Sequence, residues 1–107
     1  QMTGWFKKPI EKPEDLQGLK MRIPGLAGRV YKELGVDSRL IAPGEIFPSL
    51  ERGVIDAAEF VGPYLDRQLG LQKVAKYYYT TGWHEMATAS ELTINKAKWN
   101  SLPPDLK

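Results

Sequence analysis

Cysteine is absent from this 107-residue chain, so it can form no disulfide and no cysteine-based metal or catalytic site. There is a single histidine, His84, which excludes a zinc triad of histidines. No apolar run approaches the roughly 18 residues that a membrane span needs. The first residues do not show the basic cluster and apolar stretch of a secretory signal. There is no G-x-S-x-G elbow, no G-x-x-x-x-G-K phosphate loop and no G-x-G-x-x-G turn. Charge of one sign is also lacking: the net charge is +2, with acids and bases interleaved as in Glu11-Lys12-Pro13-Glu14-Asp15. Nucleic acid is therefore not an expected partner. Tyr77-Tyr78-Tyr79 is aromatic, but no basic residues are arranged around it as on a single-strand platform.

What remains is an ordinary globular composition, 42% hydrophobic and 26% charged, with the length of one domain at most. Pro13 to Gln17 reads as a helical turn with acids at its start and Gly18 to end it. Leu19 to Ile23 reads as a first strand, halted by Pro24-Gly25. Leu26 to Leu34 reads as a first helix, with Leu26, Val30, Tyr31 and Leu34 as its apolar stripe and Gly35 as its stop. A second strand over Arg39 to Ala42 leads through Pro43-Gly44 to a second helix, Glu45 to Arg52, with Ile46, Phe47 and Leu50 inward and Pro48 in its first turn. Val54 to Ala58 is the third strand. After Gly62-Pro63, a third helix extends to about Lys73, with Tyr64, Leu65, Leu69 and Leu71 apolar. Lys76 to Thr80 is β-prone, Glu85 to Asn95 alternates as a long fifth strand, and a short final helix carries Trp99.

Strands and helices in alternation predict an α/β fold with a mainly parallel sheet and right-handed crossovers. In such sheets ligands bind beyond the carboxyl ends of the strands, where strand order reverses. With the order 2-1-3, that point lies between the first and third strands. Arg22 ends the first strand and Glu59 ends the third, so one edge presents a cation and an anion. A guanidinium fork before a helix N-terminus suits a small carboxylate ligand. Glu59 would repel that ligand unless a cation bridged them, and carboxylate and carbonyl oxygens are the ligands that Na⁺ or Ca²⁺ take. The residues leave plainer readings open: Arg22 as a surface arginine paired with a local acid, and Glu59 as a cap for the helix after Gly62-Pro63. In Trp83-His84-Glu85, Glu85 could join a cation site and Trp83 could be either packing or a ligand platform. His84 has no assigned role.

The segments GWFKKPI…DLQGLKMRIPG, GEIFPSLERGVIDAAEFVGPY, KVAKYYYTTGWHE and NKAKWNSLPPDL resemble the solute-binding receptors of tripartite ATP-independent periplasmic (TRAP) transporters. They are most like the branch that binds 2-oxo acids such as pyruvate and related small monocarboxylates. The resemblance runs over nearly the whole chain. It implies a periplasmic binding protein of two α/β lobes that close on a ligand and deliver it to membrane permease subunits, with no reaction catalysed. It also implies a bridging Na⁺ or Ca²⁺. Residues 1–107 would then be a central piece of a longer receptor, mostly its second lobe: a mainly parallel sheet plus long crossing strands, with helices on both faces and a hinge crossing near 59–63. The first lobe's opening portion and the C-terminal helices would be absent.

By the same resemblance, Arg22 clamps the ligand carboxylate. Glu59 and Glu85 are the acids of the metal site, and Phe60 stands where relatives often carry tryptophan and contributes its backbone carbonyl. Two rival expectations stand beside this one. A small α/β enzyme would use Glu59 or Glu85 as general base. A lobe without its partner would expose apolar surface around Trp5, Phe6 and Tyr77 to Tyr79 and pair with itself.

Overall fold

The computed structural model describes residues 2–84 and 89–107. Five short strands form one sheet in the order β3-β2-β4-β1-β5. They are β1 (Gly4–Phe6), β2 (Lys20–Arg22), β3 (Asp37–Arg39), β4 (Ala57–Ala58) and β5 (Tyr77–Tyr79). β2 pairs in parallel with β3 and with β4, which is the expected 2-1-3 order of the three predicted strands. β1 is antiparallel to both β4 and β5. This strand was not expected: three residues are too few to display a period, and its strand character comes from two flanking partners that lie far along the chain.

Side chains alternate faces along a strand, and the core divides accordingly. Phe6, Met21, Ile23 and Ala57 pack with Tyr31 of α1 (Gly25–Glu33) on one face. Trp5 and Ala58 pack with Ile46 and Leu50 of α2 (Pro43–Glu51) on the other, with Leu71 of the turn that follows α3 (Pro63–Gln68). Helices therefore cover both faces. Trp5 and Phe6 are buried, so the expectation that they would be uncovered apolar surface is corrected. The strands of the sheet enclose them on both sides. Tyr77 does remain exposed.

Several local expectations change. Leu26, Val30 and Leu34 are 76%, 45% and 44% exposed, so of the predicted stripe of the first helix only Tyr31 faces inward, and Gly28 joins it there. Without a side chain at Gly28, α1 lies so close to the sheet that a Cβ there would sit 2.5 Å from the Ile23 carbonyl. Gly35 ends the helix with positive φ; its N–H donates to the Lys32 carbonyl and that of Val36 to the Tyr31 carbonyl, a Schellman closure. α2 begins at Pro43 rather than Glu45, which places Pro48 in the second turn. The second strand stops at Arg39, and the third comprises Ala57–Ala58. The third predicted helix divides at Leu69-Gly70: α3 is followed by a separate 3₁₀ turn, Leu71–Lys73, because Gly70 adopts the left-handed conformation. Tyr64 and Leu65 are exposed rather than inward. Of the predicted long strand, residues 85–88 lie outside the described residues, and residues 89–95 form no strand. They are exposed and no described strand runs beside them, so alternation has no sheet to join. The final helix, α4 (Lys96–Ser101), carries Trp99 as expected.

Candidate functional site

The parallel register of β2 and β4 sets Arg22 opposite Ala58, and the next backbone rung runs from the Glu59 N–H to the Arg22 carbonyl at 2.9 Å. Pro24-Gly25 ends one strand and Gly62-Pro63 follows the other, so both residues lie at the carboxyl edge of the sheet. Both side chains are buried. The Arg22 guanidinium donates through Nε to the Ile41 carbonyl (3.2 Å) and through Nη1 to the Glu59 carbonyl (2.5 Å). Nη1 also approaches Glu59 Oε2 at 3.4 Å, a long contact for a charged pair. The Phe60 ring lies beneath the guanidinium, with the carbon centre 5.6 Å from the ring centroid. Burial draws the Arg22 pKa below its ordinary value, while the negative charges of Glu59 and then Asp66 oppose that shift. The guanidinium remains charged at any physiological pH. Its hydrogen bonds among the described residues use Nε and Nη1, so Nη2 is left to serve a ligand.

Arg22, Glu59 and Phe60 are thus brought together. Trp83 is not placed against them: its indole N–H donates to Tyr31 Oη at 3.2 Å, and its ring packs on Tyr31 and on His84. Glu85 lies outside the described residues. His84, unassigned from sequence, has its Nε2 3.8 Å from Glu59 Oε1.

Sequence reasoning also missed Asp66. Its fully buried carboxylate accepts the indole N–H of Trp5 (2.9 Å) and the backbone N–H groups of Val61 (3.1 Å) and Gly62 (3.0 Å). Ala58 separates Trp5 from Arg22 along one cross-strand row, so a small residue makes room between two large ones. The available signal was the acid three residues after the proline of a Gly-Pro helix entry, which can reach back to the free N–H groups there.

Glu59 places a buried carboxylate at this edge, and a carboxylate is a donor type that hard cations accept. Among the described residues, no group of three or more His, Cys, Asp and Glu could hold a metal. Two concavities of the chain lie apart from this edge, one bordered by Phe6, Tyr31 and Tyr79 and one by Lys7, Asp15 and Asp56.

The family model of bacterial extracellular solute-binding proteins, family 7 (DctP), matches residues 1–107. The chain belongs to this family. It is 52% identical over 105 residues to the monocarboxylate 2-oxoacid-binding periplasmic protein all3028 of Nostoc sp., covering 98% of this chain and 29% of that protein. A TRAP periplasmic solute-binding protein from Colwellia psychrerythraea, solved with bound calcium and pyruvate, superposes with a TM-score of 0.88 at 55% identity, over 99% of this chain and 32% of that one. A homologous structure from Pseudoalteromonas atlantica, with bound sodium and pyruvate, gives 0.86 at 52% identity, again over 99% and 32%. The chain thus spans about a third of the length of these relatives. As a member of this family its α/β sheet corresponds to part of one lobe of a TRAP binding protein. None of its described helices is long and apolar enough to cross a membrane.

Proposed function

We propose that this DctP-family chain is part of the periplasmic solute-binding component of a TRAP transporter. The whole receptor captures a small monocarboxylate, a 2-oxo acid such as pyruvate or the related lactate, together with a bridging Na⁺ or Ca²⁺. It passes the acid to the membrane permease without chemical change. The observation that carries this reading is the buried Arg22–Glu59 pair at the carboxyl edge of the sheet. Relatives at 52% and 55% identity, solved with pyruvate and sodium or calcium, support it.

The roles follow from chemistry. Arg22 supplies a positive charge and a free Nη2 to the ligand carboxylate. A cation drawn to Glu59 and the Phe60 carbonyl neutralises the repulsion between two carboxylates and accepts an oxygen of the acid. Because the Nη1···Oε2 contact is long, that oxygen can serve the cation while Nη1 stays bonded to the Glu59 backbone carbonyl and Nη2 meets the ligand. Glu85 is the second acid in this reading. The segment 59–63 is the crossing between lobes, and residues 1–107 belong mostly to the second lobe. Trp83 acts indirectly, by holding its neighbour His84 against the site. An enzyme using Glu59 as general base is less well supported, since the Arg22 guanidinium already engages this carboxylate.

Titration calorimetry on the full-length receptor tests the proposal, using pyruvate, lactate and a dicarboxylate with and without Na⁺ or Ca²⁺. Pyruvate should bind when a cation is present and be recovered intact, and Arg22→Ala should abolish binding. Unchanged affinity in that variant, or turnover of pyruvate, would overturn it.

A further inference from the structure

His84 is nine-tenths buried, and neither of its ring nitrogens has a hydrogen-bond partner among the described residues. An imidazole always carries at least one N–H, and a buried donor left unpaired costs about 1–3 kcal/mol. The side chain is nevertheless held in place. Trp83 packs edge-on against it at 5.3 Å between centroids, and Trp83 is itself fastened to Tyr31. The polar group that its Nε2 faces is Glu59, with Oε1 at 3.8 Å, while the other carboxylate oxygen faces Arg22 Nη1 at 3.4 Å. Imidazole and guanidinium therefore flank opposite oxygens of one carboxylate.

We propose that His84 is a positioning residue for Glu59: in the loaded site Nε2–H donates to Oε1 and fixes the orientation in which the carboxylate receives the cation. The inference rests on the receptor reading above. A movement of less than an ångström turns the 3.8 Å approach into a hydrogen bond of ordinary length. It satisfies the N–H, the costlier of the two ring nitrogens to leave unpaired. It also accounts for a polar ring buried at this edge with no hydrogen-bond partner among the described residues: the Glu59 carboxylate lies just within reach. The arrangement works with a neutral imidazole and needs no change of protonation.

The two amide replacements separate this role from simple packing. A glutamine places its N–H near the position of Nε2, whereas an asparagine places it near that of Nδ1. In the full-length receptor, calorimetry with calcium alone, and with pyruvate in the presence of calcium, should show His84→Asn weakened by about 10- to 100-fold, the usual effect of losing a group that orients a metal ligand. His84→Gln should retain most of the affinity. Thermal melting without ligand should be similar for the two variants, which a purely structural role cannot reconcile with different affinities. Equal affinity in both variants, whether as tight as the parent or equally weak, overturns the proposal. Failure of the unmodified receptor to bind pyruvate with any cation instead overturns the receptor reading itself, so the two failures are distinct.

Discussion

The indole N–H of Trp5 donates to the carboxylate of Asp66 at 2.9 Å, across 61 residues of chain and with both side chains buried. The same carboxylate holds the backbone of Val61 and Gly62, so the second strand face, the end of β4 and the start of α3 meet at one acid. Asp66→Ala would leave three donors without their partner and should destabilise the protein by about 3 kcal/mol, since each stranded buried donor costs about 1–3 kcal/mol and nearby water repairs part of the loss. Trp5→Phe should cost less, and urea unfolding of the double variant should reveal a coupling of about 1–2 kcal/mol. Additive losses would show that the hydrogen bond carries no energy of its own.

Arg22→Lys keeps the charge and removes the fork. A lysine cannot replace the planar bonds of Nε to Ile41 and Nη1 to Glu59 while also presenting a further donor in that plane for the proposed ligand. Pyruvate affinity in the full-length receptor should fall by more than about tenfold, one or two lost charge-assisted hydrogen bonds at about 1.5–3 kcal/mol each. Equal affinity would mean that charge alone holds the acid.

Gly28→Ala tests the approach of α1 to the sheet. The added methyl would lie 2.5 Å from the Ile23 carbonyl and 2.6 Å from Ser38 Oγ, and Ser38 itself donates to that carbonyl at 3.1 Å. Overpacking of this kind costs about 1–3 kcal/mol. A lowered melting temperature is the expected outcome, and an unchanged or raised one would show that α1 can slide without penalty.

Acid titration should show the backbone bonds to Asp15. The backbone N–H groups of Glu11 and Lys12 donate to its carboxylate, at 2.9 and 3.1 Å, and lower its pKa below the ordinary 3.8. A carboxylate whose folded pKa is depressed contributes stability that is complete above its unfolded pKa and is lost as pH falls through the folded one. Asp15→Asn should therefore flatten the decline of stability below pH 3.8 and alter little above it beyond a constant offset. Carboxyl chemical shifts followed by NMR should place the Asp15 midpoint below 3.8; a midpoint at or above it would contradict the hydrogen bonds.

The parallel centre of the sheet was legible because each of its strands is followed by a Gly or Pro stop and a helix, and that spacing fixes both strand order and the edge at which Arg22 and Glu59 meet. Their adjacency followed from topology rather than from either residue's own surroundings. β1 was not legible, since Gly4–Phe6 becomes a strand only through partners more than fifty residues away. The inner face of α1 was misread because a glycine buries a helix more deeply than leucines do when backbone approaches backbone. Asp66 escaped notice and His84 was left without a role for the same reason: their significance lies in what Trp5 and Glu59 present to them across the fold, and no local pattern records that.

The insertion of β1 between β4 and β5 also orders events in time. Gly4–Phe6 gains its first strand partner only with Ala57–Ala58 and its second only with Tyr77–Tyr79. β1 is therefore flanked on both sides only once more than seventy further residues have been made, and the antiparallel half of the sheet is the last part that can close.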